Sequence, residues 1–315
     1  MNDLVRNTSA PKDNSVNIFA RHAVRQHRDR AAKVMRRHPE KQANFLFSEV
    51  ADRLVDRLLD VQRSFELCLD LGCHNGEVQK WLENAPGKVE YVISTDMSEE
   101  YAKNLRLINA KNLPVFVSEE DLLPIRPESL DLVTSNLSLH WVNDLPGALA
   151  QIRQSLKPDG LFMGAMLGGE SLYELRSALV EAEIEISGGL SPRISPFTDI
   201  RDLGSLMQRA GFALPVLDSE VITVTYDNLF KLAEDLRNMG ETNAVHERIK
   251  HVSSREIFLK AAEKYAQNYT NEEGKITASF VVIYMHGWAP DASQQQPLKP
   301  GAGQASLAQF LKEDE

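Results

Sequence analysis

Cysteine is scarce in this chain. Its 315 residues include only Cys68 and Cys73, which lie close together in an apolar stretch. Two thiols cannot build a disulfide framework, and a structural zinc site of the Cys-and-His type needs more of them. This usage is typical of a protein from a reducing compartment.

Long apolar runs are missing as well. No stretch approaches the ~18 residues of a membrane-spanning helix, and residues 1–10 lack the apolar core of a secretory signal. Asp3 and Asp13 make residues 1–16 a poor mitochondrial presequence, so a presequence was either removed or never present. We therefore expect no transmembrane segment and a flexible N-terminus over 1–16.

The chain as a whole has no excess of positive charge. Lys plus Arg number 35 against 45 Asp plus Glu, and the formal net charge is −10. This balance argues against nucleic-acid binding. The segment 21–41 is an exception, with eight basic residues and two acids. Either it docks on an acidic partner or an anionic membrane surface, or it is a solvated helix face.

Apolar residues recur at helical spacing over 17–59, and Pro39 should divide this region into two helices. From residue 65 onward, short apolar runs alternate with amphipathic segments. These runs cover 67–71, 91–95, 115–117, 130–135 and 161–166, and a Lys157-Pro158-Asp159-Gly160 turn precedes the last. Such alternation predicts a parallel sheet with helices on both faces.

Two later runs, 221–226 and 276–285, also read as strands, and a helical segment separates them. The second is long and β-branched, as expected for a final antiparallel strand inside the sheet. The predicted regions are a basic helical arm (17–62), an α/β domain (63–289) with a helical insert at about 228–270, and a disordered tail (290–315).

The most informative segment is 67–76, Leu-Cys-Leu-Asp-Leu-Gly-Cys-His-Asn-Gly. A buried strand carries Asp70, a turn with Gly72 and Gly76 follows, and a helix begins near Glu77. Small residues in such a turn let the backbone approach a ligand, and the helix start offers unpaired N–H groups.

Acidic residues follow the next two strands. Asp96 comes twenty positions after Gly76, where a carboxylate can bind both ribose hydroxyls, and the cluster Glu119-Glu120-Asp121 could meet an adenine amino group. Carboxylates repel a pyrophosphate but attract a sulfonium and an ammonium. The sequence therefore favours S-adenosyl-L-methionine over a dinucleotide, and predicts a class I methyltransferase fold with a Rossmann-like sheet.

His74 stands where such loops have their central glycine, and a Cβ there costs room or strain. Two interpretations remain open. The ring points outward and is tolerated, or the cofactor site is altered.

The chain resembles the mitochondrial complex I assembly factors described as arginine hydroxylases, which are relatives of the malonyl-carrier-protein methyltransferases of biotin synthesis. The resemblance spans about 17–288. The segments that carry it are 135–146 (SNLSLHWVNDLP), 157–160 (KPDG) with 164–166 (GAM), 168–176 (GGESLYELR), 195–198 (SPFT) with 202–204 (DLG), 209–212 (RAGF), 234–236 (EDL) and 239–241 (MGE). His74, and Ala20 in place of an aspartate, depart from the family pattern.

The resemblance implies binding of S-adenosyl-L-methionine and hydroxylation of one arginine on the iron–sulfur subunit of the complex I peripheral arm. It implies a location in the mitochondrial matrix, peripheral to the inner membrane, in a eukaryote, and in the cytoplasm of a bacterium. The cofactor-binding residues that we expect are Asp70, Gly72, Cys73, Gly76, Asp96, Met97, Glu119, Glu120 and Asn136.

Catalytic residues are harder to assign. His140 and Trp141 follow the fourth strand, and Tyr173, Glu174 and Arg176 follow the fifth, so an aromatic wall with a carboxylate could hold a guanidinium. The same aromatic residues could simply cap the core. Hydroxylation needs an oxygen-activating group, but the His27-Arg28-Asp29 segment is a poor metal site, because residues two apart on a helix face different ways.

Three functions therefore remain open: an assembly factor that hydroxylates a respiratory subunit, a methyltransferase for a carrier-protein-bound or small-molecule carboxylate, and a non-catalytic chaperone that no longer binds the cofactor.

Overall fold

The computed structural model describes residues 17–39, 43–108, 114–251 and 253–295. The predicted flexible N-terminus (1–16) and most of the predicted disordered tail (296–315) lie outside these residues. Within the described part of the chain, no helix has the length and apolar character needed to cross a membrane.

A seven-stranded mixed sheet forms the centre of the described structure. Its strands are β1 (Phe65–Leu71), β2 (Val89–Asp96), β3 (Val115–Val117), β4 (Leu130–Asn136), β5 (Leu156–Leu167), β6 (Ala213–Tyr226) and β7 (Ile276–Trp288). They are ordered β3-β2-β1-β4-β5-β7-β6. The first five are parallel to one another, whereas β7 is antiparallel to both β5 and β6. The predicted antiparallel strand inside the sheet is confirmed.

The helices are α1 (Arg21–Arg37), α2 (Phe45–Leu59), α3 (Glu77–Leu82), α4 (Glu99–Ile108), α5 (Leu145–Ser155), α6 (Tyr173–Ser187), α7 (Ile200–Arg209), α8 (Leu229–Met239) and α9 (Arg255–Asn268). They cover both faces of the sheet. Residues of α2, α6, α8 and α9 share one apolar cluster, and those of α5 and α7 share another. The fold is thus the predicted α/β class, with an N-terminal helical arm and a helical insert before the last strand.

Four strands begin earlier than predicted, β1 and β2 by two residues, β5 by five and β6 by eight. β6 starts at Ala213, because its backbone pairing with β7 continues through the polar residues 218–220, where the side chains give no strand signal. The predicted turn at 157–160 is an irregularity at the start of β5. Leu130 pairs with Leu156 and Leu132 with Leu161, so the four residues between bulge out, with Asp159 at φ +59°.

The helical arm packs tightly on the rest of the protein. One face of α2, including Leu46, Val50, Leu54 and Leu58, is fully buried in the same apolar cluster as the sheet. α1 buries Ala31 and Ala32 against Tyr101 of α4. The arm therefore forms part of the main core.

Candidate functional site

The loop between β1 and α3 is a tight turn that depends on Gly72. Its φ is +69°, and a Cβ there would lie 2.0 Å from Ser138 Oγ. The N–H groups of Gly72 and Cys73 both donate to the Thr95 carbonyl, at 2.8 and 2.9 Å. A side chain at position 72 would therefore push the loop away from β4. Gly76, at φ +80°, immediately precedes α3.

Asp70 and Asp96 lie at the carboxyl ends of β1 and β2, which are neighbouring parallel strands. Both are fully buried. Asp96 accepts from the N–H groups of His74 (3.1 Å) and Ser98 (2.8 Å). Asp70 accepts from the Thr134 hydroxyl at 3.2 Å through Oδ1, and its Oδ2 has no partner among the described residues. The structure thus brings the two aspartates to the same edge of the sheet, as expected.

The pKa of Asp70 is raised to about 7, mainly by burial. The Thr134 hydroxyl acts to lower it, and the nearby Glu77 and Asp96 act to raise it. Glu77, at the start of α3, behaves in the same way. Burial raises its pKa to about 7, although its carboxylate accepts a hydrogen bond from the Asn75 N–H. Several carboxyl groups therefore lie close together at this edge of the sheet, and a cationic ligand would stabilise their ionised forms.

Arginines from α1 meet the predicted acidic cluster after β3. Glu120 is buried and forms ion pairs with Arg28, at 2.8 Å, and with Arg21. It also accepts from the Ser138 hydroxyl at 2.5 Å. Although burial alone would raise the pKa of Glu120, Arg28 and Arg21 hold it well below its usual range. Glu119 pairs with Arg21 and Arg25, so these acids have protein partners where an adenine was expected.

His74 is buried, which overturns the interpretation that its ring points outward. The ring stacks on Phe47 with centroids 4.3 Å apart, and Tyr101 meets it edge-on at 5.6 Å. Its φ is +47°, a region that favours glycine. Burial and Arg28 both lower the pKa of the imidazole, so it is neutral at physiological pH. Packing by Phe47 of α2 therefore compensates for the backbone strain.

The residues at this edge fit a cationic, phosphate-free nucleoside. Asp70 Oδ2 and Thr95 Oγ1 are buried polar atoms without a partner among the described residues, and the acids lie at three successive strand ends. Arg28 is also placed here, 3.6 Å from Asp96. It would have to share that carboxylate with a ligand.

Comparison with known proteins agrees with this geometry. The methyltransferase domain family matches residues 42–215. The mitochondrial arginine-hydroxylase NDUFAF5 of Homo sapiens is 41% identical over 308 residues, covering 98% of this chain and 86% of the relative. The chain belongs to the NDUFAF5 arginine-hydroxylase family.

A more distant relative and a solved structure agree with the fold. The malonyl-[acyl-carrier protein] O-methyltransferase of Methylovorus sp. (strain MP688) is 32% identical, covering 81% of this chain and 86% of the relative. The crystal structure of the YcgJ protein from Bacillus subtilis superimposes with a TM-score of 0.54 at 14% identity, covering 76% of this chain and 98% of that one. Both the family resemblance and the class I methyltransferase fold are therefore confirmed.

Three further residues that were expected to bind the cofactor in this family member lie around the same loop. Cys73 is buried, and burial raises the pKa of its thiol, so it is unreactive. Met97 packs with Phe19 and Trp141. The Asn136 side-chain amide donates to the Phe47 carbonyl at 2.8 Å, which fixes α2 against the end of β4.

His140 and Trp141 of the predicted aromatic wall contact Glu241, and not the Glu174 that the sequence suggested. His140 Nε2 lies 3.0 Å from Glu241 Oε2, and Trp141 Nε1 donates to the same oxygen at 3.0 Å. Burial raises the pKa of Glu241, but His140 and Arg28 bring it below its usual value. Glu241 is therefore an ionised carboxylate held by two aromatic side chains.

Tyr173, Glu174 and Arg176 lie elsewhere. Glu174 accepts from the Ser279 N–H and hydroxyl of β7, at 3.2 and 2.6 Å. Tyr173 is 43% exposed and lies beside Tyr269, and Arg176 donates to the Ser171 carbonyl at 3.3 Å. The structure does not bring these α6 residues to His140 and Trp141.

A cavity of about 450 Å³ opens beside Trp141 and Glu241. Apolar residues of α6 and α8 form its walls, including Leu175, Leu179 and Leu236. Its lining includes Trp141, which follows β4, and Leu167, the last residue of β5, and it is large enough for a substrate side chain.

Sequence reasoning gave no role to Arg28 or Glu241, although both carried a signal. Arg21, Arg25 and Arg28 are spaced as one face of a helix, which would have predicted a shared acidic partner. Glu241 belongs to the segment 239–241 that supported the resemblance. Among the described residues, no group of three or more His, Cys, Asp or Glu side chains is arranged to hold a metal ion.

Proposed function

We propose that this chain is an S-adenosyl-L-methionine-binding enzyme that hydroxylates an arginine of the iron–sulfur subunit of the complex I peripheral arm. The observation that carries the proposal is the 41% identity to an arginine-hydroxylase over nearly the whole chain. The carboxylates at three neighbouring strand ends support the cofactor.

Each cofactor-binding residue has a distinct role in the proposal. Asp70 would face the cationic end of the cofactor and Asp96 the ribose. Glu119 and Glu120 would border the adenine side while they remain paired with the arginines of α1. Gly72 and Gly76 allow the tight turn after β1. The buried residues Cys73, Met97 and Asn136 would hold this turn in position by packing and hydrogen bonding. When bound, S-adenosyl-L-methionine supplies an electrophilic methyl group, which is the chemistry of the relatives named as methyltransferases.

The substrate arginine enters the cavity beside Trp141 in this proposal. Glu241 is ionised and faces the cavity, so it can bind a guanidinium, and the indole and leucine walls accommodate the aliphatic part. His140 is a positioning residue, since it orients Glu241. Hydroxylation converts one C–H bond to C–OH with dioxygen as oxidant, and a donor of two electrons and two protons reduces the second oxygen atom to water.

Mass spectrometry of the iron–sulfur subunit tests the hydroxylation. The arginine-containing peptide should be heavier by one oxygen atom in cells with this protein than in cells without it, and should incorporate the heavy isotope from labelled dioxygen. Glu241→Gln should reduce the modified fraction by about tenfold or more, with an unchanged circular dichroism spectrum. An unmodified arginine in wild-type cells would refute the proposal.

Calorimetric titration tests the cofactor. We expect the wild-type chain to bind S-adenosyl-L-methionine and Asp96→Asn to bind at least about tenfold more weakly. No heat from the wild type, together with binding by His74→Gly, would instead favour the non-catalytic chaperone.

A second candidate is a methyltransferase for a carrier-protein-bound or small-molecule carboxylate. It is favoured by the arginines around the cavity, which suit an anion, and by the similarity to malonyl-[acyl-carrier protein] O-methyltransferases. Transfer of a labelled methyl group to an acyl carboxylate would support it.

The location follows from the same proposal. Relatives of this chain are named mitochondrial, so we place a eukaryotic protein in the matrix, peripheral to the inner membrane, and a bacterial one in the cytoplasm. Most of the arm's arginines already pair with acids of the same chain. Membrane association through the arm would rely on the remaining charges.

A further inference from the structure

The cavity beside Trp141 has an uneven charge distribution. Glu241 is the only acidic residue among those that line it. The basic residues in the lining are His27, Arg30, Arg193, Arg237 and Arg248. A guanidinium that approaches Glu241 therefore passes a strongly positive rim, which by itself repels it.

One of these arginines is neutralised within the fold. Arg193 pairs with Glu183 at 2.7 Å and lies over the Phe258 ring. By contrast, Arg30, Arg237 and Arg248 have no carboxylate at ion-pair distance among the described residues. Arg30 donates to the Thr242 hydroxyl at 3.3 Å, and Arg248 to the Val245 carbonyl at 3.0 Å.

All three arginines line the same cavity, and Arg30 lies close enough to Arg237 to be affected by its charge. Burial and Arg237 lower the pKa of Arg30. Burial, Arg30 and Arg248 bring the pKa of His27 down to about 4, although Glu241 acts in the opposite direction. His27, which lines the same cavity, therefore stays neutral and adds no positive charge to it. Uncompensated cations held together in this way form a site for an anion.

We propose that Arg30, Arg237 and Arg248 bind an acidic residue that flanks the modified arginine in the protein substrate. This inference rests on the proposed function and adds a sequence requirement to it. One segment of the substrate then matches the acidic, apolar and basic parts of the cavity. Its arginine reaches Glu241, its apolar neighbours contact the leucine walls, and its acid neutralises the rim.

Peptide binding to the full chain tests the inference. The probe is a short fluorescein-labelled peptide with a central arginine between two aspartates, and the matched peptide carries asparagines instead. Fluorescence anisotropy at low ionic strength should show about tenfold tighter binding of the aspartate peptide. Arg237→Glu, an exposed substitution, should abolish this preference and favour a peptide with lysines at the flanking positions.

A control variant separates the local effect from the overall field. Arg209→Glu on α7 makes the same charge change on an exposed residue that does not line the cavity, and it should leave the preference intact. Equal binding of the aspartate and asparagine peptides by the wild type would overturn the inference, as would an equal effect of the two variants.

A competing occupant has its own outcome. If decanoate binds in a manner that depends on Arg237 while neither arginine peptide binds, the cavity holds an aliphatic carboxylate and the inference is wrong. The readout is also independent of the proposed function. A chain that discriminates between the peptides but hydroxylates no arginine retains the acid-binding role of the three arginines and refutes the hydroxylase, and the reverse result refutes only the inference.

Discussion

Asp70 is a buried carboxyl group with little stabilisation from its surroundings. It is fully buried and meets one hydroxyl, and the other acids around it add repulsion. Its carboxyl group therefore retains a proton at pH values where an exposed aspartate is ionised. A cation bound beside Asp70 would offset the unfavourable free energy of burying its carboxylate.

The pH dependence of stability should reveal this residue. The pKa of Asp70 is about 7 in the folded protein against an ordinary value of 3.8. Between those values the folded state binds more protons than the unfolded state, so the free energy of unfolding contributed by Asp70 falls as pH rises, and is constant above about 7. Asp70→Asn removes this loss. Relative to wild type, the variant should gain up to about 1.4 kcal/mol per pH unit between about pH 5 and pH 7.

Urea unfolding at several pH values measures the effect. Differences between wild type and variant are needed, because the lowered pKa of His27 gives a slope of opposite sign in both proteins. Asp227→Asn, on an exposed turn, is the matched control and should run parallel to wild type. A difference between Asp70→Asn and wild type that does not change with pH would contradict the expectation.

At the scale of elements, α1 is the helix that completes the candidate site. Its arginine face lies against acids that follow β2 and β3, and its apolar face packs on α4. Arg28 is buried, and although burial alone lowers its pKa, Asp96 and Glu120 raise it above the ordinary value. The helix therefore supplies the charge that lets Glu120 remain ionised in the interior.

Removing that charge should be costly. Arg28→Met leaves the buried Asp96 without its arginine and the buried Glu120 with Arg21 alone, and we expect the free energy of unfolding to fall by about 3–5 kcal/mol. Arg36→Met on the same helix breaks a partly exposed pair with Glu100 and should cost about 1 kcal/mol or less. Chemical denaturation of both variants measures the contrast. Equal losses would show that Arg28 is not balancing buried charge.

The insert is the second element that the site depends on. α8 ends at Met239 and is followed by Gly240, whose φ is +87°. The next N–H, that of Glu241, donates to the Leu236 carbonyl at 2.8 Å. A Cβ on Gly240 would contact the Arg28 backbone at 3.4 Å, so the helix end fits closely against α1. This geometry directs Glu241 towards His140 and Trp141.

At the scale of the whole molecule, the arm, the sheet and the insert share one apolar cluster. Trp81 of α3 connects the arm to this unit, since its Nε1 donates to the Ser48 carbonyl of α2 at 3.0 Å. The three tryptophans, Trp81, Trp141 and Trp288, report on the arm contact, the site and the last strand. We therefore expect arm and domain to unfold together.

Coincident unfolding curves would verify this cooperativity. Tryptophan fluorescence and far-ultraviolet circular dichroism should give the same urea midpoint and a single transition. Ser48→Ala serves as the control, because it leaves the backbone acceptor of Trp81 in place and should keep the two curves superimposed. An early fluorescence change with little loss of helix would mean that the arm is a separate unit.

The sequence by itself determined the order of strands and helices, the antiparallel last strand and the carboxylates at the strand ends. These follow from local patterns, because apolar periodicity and glycine turns act over a few residues. It could not determine the partners of those carboxylates. Arg28 and Glu120 are 92 positions apart, and His140 and Glu241 are 101 apart.

Only the tertiary structure decided which charges meet. The loop at His74 was predicted, but its buried ring was not, because Phe47 and Tyr101 pack on it from two other elements. Likewise, Glu174 and Glu241 were both acids in family-like segments, and packing gave one to Ser279 and the other to Trp141. Contacts between distant segments depend on how helices pack on the sheet, and no local pattern encodes that choice.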